Sequence, residues 1–299
     1  MNYKIGVYGD DAQTEYVLVD GAGQIRDRRT TIACNPNLFL DQDTIRSVMI
    51  EAMVELAAAG KSLHPGGRLC HTVLCMPGSQ RFWQGIAARI PDFSPVSVLG
   101  TYVPALELAT GGQPGLVLDC GRLRSFVAAR GADGTVQCAG NFGWRMGDAG
   151  SNYDLGRRAL IRTLLELQGW AASSELGRAA GAAMKSTDAN VLAILLDAPP
   201  TSPASVADLA QHVFTLAAAG DEVANAIMRE SVVELARLAS TVQEKTFGRS
   251  ASALVGLGGP LLQTAAAREA LALALGENAK LVSITETPVE GLRRLLARL

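Results

Sequence analysis

Aromatic residues make up 5% of this 299-residue chain, histidine occurs three times and cysteine five times. These scarcities exclude several chemistries. His64, His71 and His212 have no metal-ligand spacing, and Cys34, Cys70, Cys75, Cys120 and Cys138 include no C-x-x-C pair, so no metal site is expected. An odd number of cysteines without a secretory leader pattern fits reduced thiols in a cytoplasm. Neither sign of charge is in excess. The 27 basic and 29 acidic residues leave a formal net charge of −2, and no basic stripe suited to nucleic acid is present. No apolar run reaches the roughly 18 residues that a membrane span needs.

What the chain does have is aliphatic mass: 48% of its residues are hydrophobic, and its length allows two sizeable cores. Residues 3–8 and 14–20 read as strands joined by a hairpin loop, and Gly21-Ala22-Gly23 turns the chain into a third extended run over 24–31. The amide-bearing loop from Ala33 to Asn37 leads into a helix ending near 59. Asp41 or Asp43 can cap that helix, and Ile45, Val48, Met49, Met53 and Leu56 form its apolar stripe. The methionines read as core. Residues 69–76 form a nearly continuous apolar strand, in which His71 reads as a satisfied core or edge histidine. A helix over 79–90, a strand over 96–99 and a helix over 102–110 complete a βββαβαβα pattern.

The linker Thr110-Gly111-Gly112-Gln113-Pro114-Gly115 marks a domain boundary, and the pattern restarts after it. Strands are predicted over 116–119, 125–130 and 135–138, then a helix over 151–170 and a helical insertion over about 174–246. The last helix of the insertion aligns Val223, Ile227, Val232, Leu235, Leu238 and Val242. A strand over 251–257, a helix over 263–275, a strand over 280–284 and a helix opened by Pro288 finish the chain. Two copies of one pattern predict an α/β fold with two similar domains facing each other across a cleft. The boundaries are 1–112, 113–287 with the insertion, and a helix over 288–299 packing back towards the first domain. Ligands of such folds bind at strand ends and between domains. The apolar residues Ile194, Leu195 and Leu196 of the insertion read as ordinary packing or as the seam of a homodimer.

The most heavily punctuated stretch runs from 140 to 160. Glycines 140, 143, 147 and 150 give way to an amphipathic helix. Asp148 just before that helix has two readings: a helix cap, or a carboxylate hydrogen-bonding the hydroxyls of a polyol.

Several short pieces together carry a resemblance. They are Gly140-x-Phe142-Gly143, Gly147-Asp148-x-Gly150-Ser151, Leu155-Gly156-Arg157-Arg158-Ala159-Leu160, the Gly111–Gly115 linker, Gly258-Gly259 and Pro288-Val289-Glu290-Gly291-Leu292. Over nearly its whole length the chain resembles the N-acetylglucosamine kinase and BadF/BadG-type ATPase group of the actin-like ATPase fold. The resemblance implies two ribonuclease-H-like domains, an amino-sugar substrate, and transfer from ATP with Mg²⁺ to the sugar 6-hydroxyl. It places Asn35 and Asn37 in a loop that reaches the sugar, Gly147 and Asp148 at a sugar-contacting position, and Gly258-Gly259 on the adenosine side.

The departures from that pattern matter as much. Where the group has Asp-Gly-Gly-Gly-Thr-x-Thr for phosphate, this chain has Tyr8-Gly9-Asp10-Asp11-Ala12-Gln13-Thr14. Acids replace glycines whose amides would cradle phosphate, and Tyr8 replaces a carboxylate that helps organise Mg²⁺. Thr101 stands at the position of the catalytic base. A hydroxyl is a very poor base, and general-base catalysis is worth roughly 10²–10⁴-fold. The second phosphate loop, Gly-Thr-Gly-Ser in the group, is Gly121-Arg122-Leu123-Arg124, and Ala149 replaces a glutamate. The expectation is a degenerate kinase that keeps an amino-sugar pocket with little or no phosphotransfer, using ATP and Mg²⁺ only if active. The alternatives are an active N-acetylglucosamine or glucosamine kinase and a non-catalytic interaction protein. Asp10 and Asp11 could pair with Arg122 and Arg124 or remain solvated. In a third reading, the arginines grip nucleotide phosphates while Asp10 or Asp11 serves the metal.

Overall fold

The computed structural model describes residues 2–36, 41–63, 66–93, 95–197, 203–248, 253–276 and 278–299. The chain divides into two compact units, Met1–Gln113 with Ile284–Leu299, and Pro114–Ser283.

In the first unit, β1 (Asn2–Gly9), β2 (Gln13–Asp20) and β3 (Ile25–Ile32) form an antiparallel meander. Strands β4 (Arg68–Cys75) and β5 (Val96–Leu99) extend the sheet in parallel, giving the order β3-β2-β1-β4-β5. Alternation decides which face each side chain joins. Ile5, Val7, Leu18 and Leu74 meet Ile45, Met49, Met53 and Leu56 of α1 (Gln42–Leu63), so the methionines are core. Asp41 supplies the cap of α1, accepting from the Thr44 amide at 2.8 Å. On the other face, Val17, Val19, Val73 and Cys75 meet Val289, Leu292 and Leu296 of α11 (Pro288–Arg298). Gly6 permits that docking, because a Cβ there would strike Leu292 and Leu296. His71 shares a 2.8 Å hydrogen bond with Ser97 Oγ, which satisfies it. Helices α2 (Gln80–Ala87) and α3 (Tyr102–Thr110) complete the unit.

The second unit repeats the order. Strands β6 (Gly115–Cys120), β7 (Ser125–Arg130) and β8 (Val136–Gly140) form the meander, and β9 (Ala253–Gly258) and β10 (Ala279–Ser283) extend it in parallel as β10-β9-β6-β7-β8. The helices are α4 (Asn152–Leu167), α5 (Glu175–Ala183), α6 (Ala189–Asp197), α7 (Pro203–Asp208), α8 (Ala210–Ala218), α9 (Glu222–Phe247) and α10 (Ala265–Leu275). Ile227, Val232, Leu235 and Val242 of α9 are buried against the sheet, each worth about 1.5–3 kcal/mol of transfer free energy. Helix α4 stops three residues short of the predicted end. Gly169 takes φ +82° and the Trp170 amide donates back to Leu165 O, a left-handed termination that the sequence Gln168-Gly169 encodes. In the insertion Ile194 is 65% exposed, whereas the side chains of Leu195 and Leu196 lie outside the described residues.

Candidate functional site

In the second unit the central strand β6 ends at Asp119-Cys120, and its parallel neighbour β9 ends at Gly258-Gly259. Ligands of open α/β sheets bind beyond such carboxyl ends. Asp119 lies opposite Gly258 in the register. A Cβ on Gly258 would strike the Asp119 carboxylate, and one on Gly259, which has φ +87°, would strike the Cys120 carbonyl. The glycine pair is thus demanded by the close approach of β6, quite apart from any ligand. The Asp119 carboxylate has no hydrogen-bond or ion-pair partner among the described residues, and burial pushes its pKa up to about 6. Sequence reasoning does not single out Asp119. The available signal is a lone acid closing an apolar strand two residues before Gly121.

The hairpin Gly121–Arg124 follows. Its carbonyls at Gly121 and Arg122 accept from the amides of Asn152 and Tyr153, each at 3.0 Å, and the Asp154 amide donates to Ser151 Oγ at 3.1 Å. The first amides of α4 therefore serve the protein itself and are not open to an anion. Ser151, extended at φ −66° and ψ 155°, is the cap of α4, which corrects the cap reading of Asp148. Arg122, which one expectation paired with Asp10 or Asp11, is bound to Asp208 of α7 at 2.6 Å.

Asp148 turns back into its own loop. Its oxygens accept from the amides of Gly143 at 2.7 Å, Phe142 at 3.2 Å and Ser125 at 3.4 Å, and the residue is 8% exposed. Burial raises its pKa, while the three amides and the Arg124 charge oppose that rise. Held by this carboxylate, the loop takes positive φ at Gly140, Asn141, Gly143 and Gly147. Trp144 is braced by Tyr153, with ring centroids 5.4 Å apart, and by the Arg145 guanidinium 4.9 Å from its ring. Phe142 and Met146 are each 75% exposed on a backbone that is firmly pinned. Neither stands out from sequence as a site residue; the glycines flanking Phe142 are the available signal.

The Gly156-Arg157-Arg158 motif has a structural explanation. Asp154 is fully buried and accepts from Ser231 Oγ at 2.7 Å, Arg158 Nε at 3.0 Å and Arg157 Nη2 at 3.1 Å. Ser231 in turn accepts from the Gly150 amide at 2.8 Å, and Arg158 reaches Glu234 at 2.7 Å. The network ties α4 to α9 and fixes Gly150, two residues beyond Asp148.

In the first unit, Asp10 Oδ1 accepts from the amides of Ala12 at 2.7 Å and Gln13 at 2.8 Å. These are amides that a glycine loop would turn to a phosphate, so the β1–β2 hairpin does not fit one. Asp11 accepts from Asn35 Nδ2 at 2.8 Å, and Thr14 Oγ1 accepts from the Cys34 amide at 2.8 Å. The hairpin and the asparagine loop are thereby tied together, with Asn35 fully buried. Gly9 packs closely against Met76 and Pro77. Thr101 is 5% exposed at the start of α3, and its hydroxyl does not cap the helix. Asn37 lies outside the described residues. Among the described residues no group of three or more His, Cys, Asp or Glu could hold a metal ion, and no helix is long and apolar enough to cross a membrane.

No protein-family model and no curated protein matches the sequence. Solved structures do match. A candidate N-acetylglucosamine kinase from Chromobacterium violaceum aligns over 98% of both chains with TM-score 0.73 and 24% identity. A second candidate N-acetylglucosamine kinase, from Porphyromonas gingivalis, aligns over 98% of both chains with TM-score 0.71 and 16% identity. The chain shares its α/β fold with these two proteins. A ROK-family glucokinase from Streptomyces griseus, solved with glucose and AMPPNP, shares it at TM-score 0.57 and 16% identity, over 99% of this chain and 98% of its own. The matching strand orders of the two sheets place the loops at 9–14 and 121–124 at corresponding positions in the two units.

Proposed function

We propose that the protein is a degenerate amino-sugar kinase, which binds N-acetylglucosamine or glucosamine and transfers little or no phosphate. One observation carries this reading: the Asp10 carboxylate occupies the amides of Ala12 and Gln13, filling internally the cradle that phosphoryl transfer needs. Thr101 at the base position supports it, since no carboxylate stands there to take the sugar proton. The sugar half of the site keeps its material. In the second unit the pinned 140–148 loop offers an exposed aromatic face at Phe142, with Asp148 holding the loop. Similarity of fold to candidate N-acetylglucosamine kinases supports the choice of sugar. Thermal-shift titration tests the pocket. N-acetylglucosamine or glucosamine is expected to raise the melting temperature, and no response to either would leave an interaction protein as the better reading.

A second reading rests on Asp119. The Asp119 carboxylate, without a hydrogen-bond or ion-pair partner among the described residues, would serve Mg²⁺ at the end of β6 in an active hexosamine kinase. ADP release that depends on sugar and disappears in Asp119→Asn would favour this reading over the first.

A further inference from the structure

Between α4 and the first half of α9 lies a cleft of about 810 Å³ that the proposed sugar site leaves unused. Both helices belong to the second unit, so the cleft is built within one domain. Four guanidiniums line it: Arg157, Arg158 and Arg162 from α4, and Arg229 from α9. Their commitments differ. Arg158 is held by the buried Asp154 at 3.0 Å and by Glu234 at 2.7 Å, and Arg162 by Glu166 at 2.7 Å. Arg157 gives its Nη2 to Asp154 at 3.1 Å, but its Nε finds no acceptor in the fold and its side chain stays 39% exposed. Arg229 is exposed and has no hydrogen-bond or ion-pair partner among the described residues. The charge of Arg157 is thus only partly used by the fold, and that of Arg229 is not used.

The remaining lining sorts the ligands that fit. Ile161 and Leu165, 43% and 41% exposed, give the cleft an aliphatic surface beside Val223 and Ala226. Glu222, Asn225 and Glu230 add acceptors, Glu230 lying 3.4 Å from Arg158. Asn225 donates its Nδ2 to Ala217 O and Asp221 O, which leaves Oδ1 for a donor from a ligand. We propose that the cleft binds a phosphorylated sugar, its phosphoryl group on Arg157 and Arg229 and its ring against Ile161 and Leu165. The sugar hydroxyls donate to Glu222, Glu230 or Asn225. Guanidinium forks match phosphoryl oxygens in geometry and charge. The two carboxylates accept from hydroxyls but repel further negative charge, which disfavours nucleoside di- and triphosphates and anionic membrane surfaces. Aliphatic surface gives a bare phosphate nothing to hold, and the cavity is of the size that takes a small organic ligand. The cleft is separate from the 140–148 loop, and the proposal does not rest on the sugar site.

Isothermal titration calorimetry of the full chain with glucose 6-phosphate tests this. Glucose 6-phosphate is expected to bind more tightly than inorganic phosphate or glucose. Arg229→Glu is expected to weaken that binding about tenfold or more, because a charge-assisted pair becomes a repulsion. Ile161→Glu is expected to weaken it as well. Both residues are exposed, so circular dichroism of the two variants should match the wild type. Absence of heat from glucose 6-phosphate at millimolar concentrations would overturn the proposal, as would binding that Arg229→Glu leaves unchanged. Inorganic phosphate binding equally tightly would overturn it in favour of a bare anion contact. ADP binding more tightly, with the same loss in Arg229→Glu, would overturn it in favour of a nucleotide. Displacement of glucose 6-phosphate by saturating N-acetylglucosamine would overturn it by placing the probe in the sugar site. Arg229→Glu should leave the thermal response to N-acetylglucosamine at its wild-type size, so failure here and failure of the sugar site are read separately.

Discussion

Replacing Asp119 with asparagine should change how stability depends on pH. The carboxyl ordinarily titrates near 3.8, and burial at the end of β6 raises it to about 6. The folded protein therefore holds this proton more tightly than the unfolded chain does. The stabilisation from that retained proton is fully present below pH 4 and is lost as pH rises through 6. At about 1.36 kcal/mol per pH unit, the rise amounts to about 3 kcal/mol by pH 7. An asparagine side chain cannot ionise, so Asp119→Asn escapes that loss. Urea denaturation at half-unit pH steps from 3 to 8 should show the difference between variant and wild type growing by about that amount between pH 3 and 7, then levelling. Parallel curves across the range would refute the reasoning, because they would mean that the carboxylate is already solvated or partnered in the folded state. A destabilising acid kept at a strand end is the kind of cost that functional sites carry.

Four further outcomes follow from the geometry. Asp154→Ala should destabilise by about 3–5 kcal/mol in chemical denaturation, because it strips a fully buried carboxylate from Arg157, Arg158 and Ser231. Gly259→Ala should lower stability by about 1–3 kcal/mol or more, since it combines φ +87° with a collision against the Cys120 carbonyl; calorimetric melting reads it. Ser151→Ala should cost about 1 kcal/mol through the lost α4 cap, whereas removal of Asp148 should spare the helix and increase amide exchange at Phe142 and Gly143. Asp10→Gly should release the Ala12 and Gln13 amides and tighten ATP binding in calorimetry. Unchanged binding would mean that those amides do not govern the phosphate cradle.

Much of the fold is legible in the sequence because the apolar periods are clean. The Met49–Met53 stripe, the run through β4 and the restart after Gly111-Gly112 each specify an element whose buried face leaves little freedom. Side-chain roles within loops are harder to read. Asp148 and Ser151 are both good caps by type, and only backbone conformation assigns the helix to Ser151 and the loop to Asp148. Asp10 looks in sequence like a charge awaiting a distant partner, yet it satisfies two amides within three residues, a local closure that aspartate shares with many turns. Asp119 escapes notice because one acid after Val117-Leu118 reads as the end of a strand, and its unusual environment comes from β9, more than 130 residues later.

Saturation-transfer NMR of N-acetylglucosamine in the presence of the protein and Mg-ATP reports both binding and conversion in one sample. Transfer of saturation to the acetyl methyl and ring protons is expected, with the sugar remaining unphosphorylated over hours. Steady appearance of the 6-phosphate would contradict the loss of phosphotransfer, and no saturation transfer to the sugar would contradict the retained pocket.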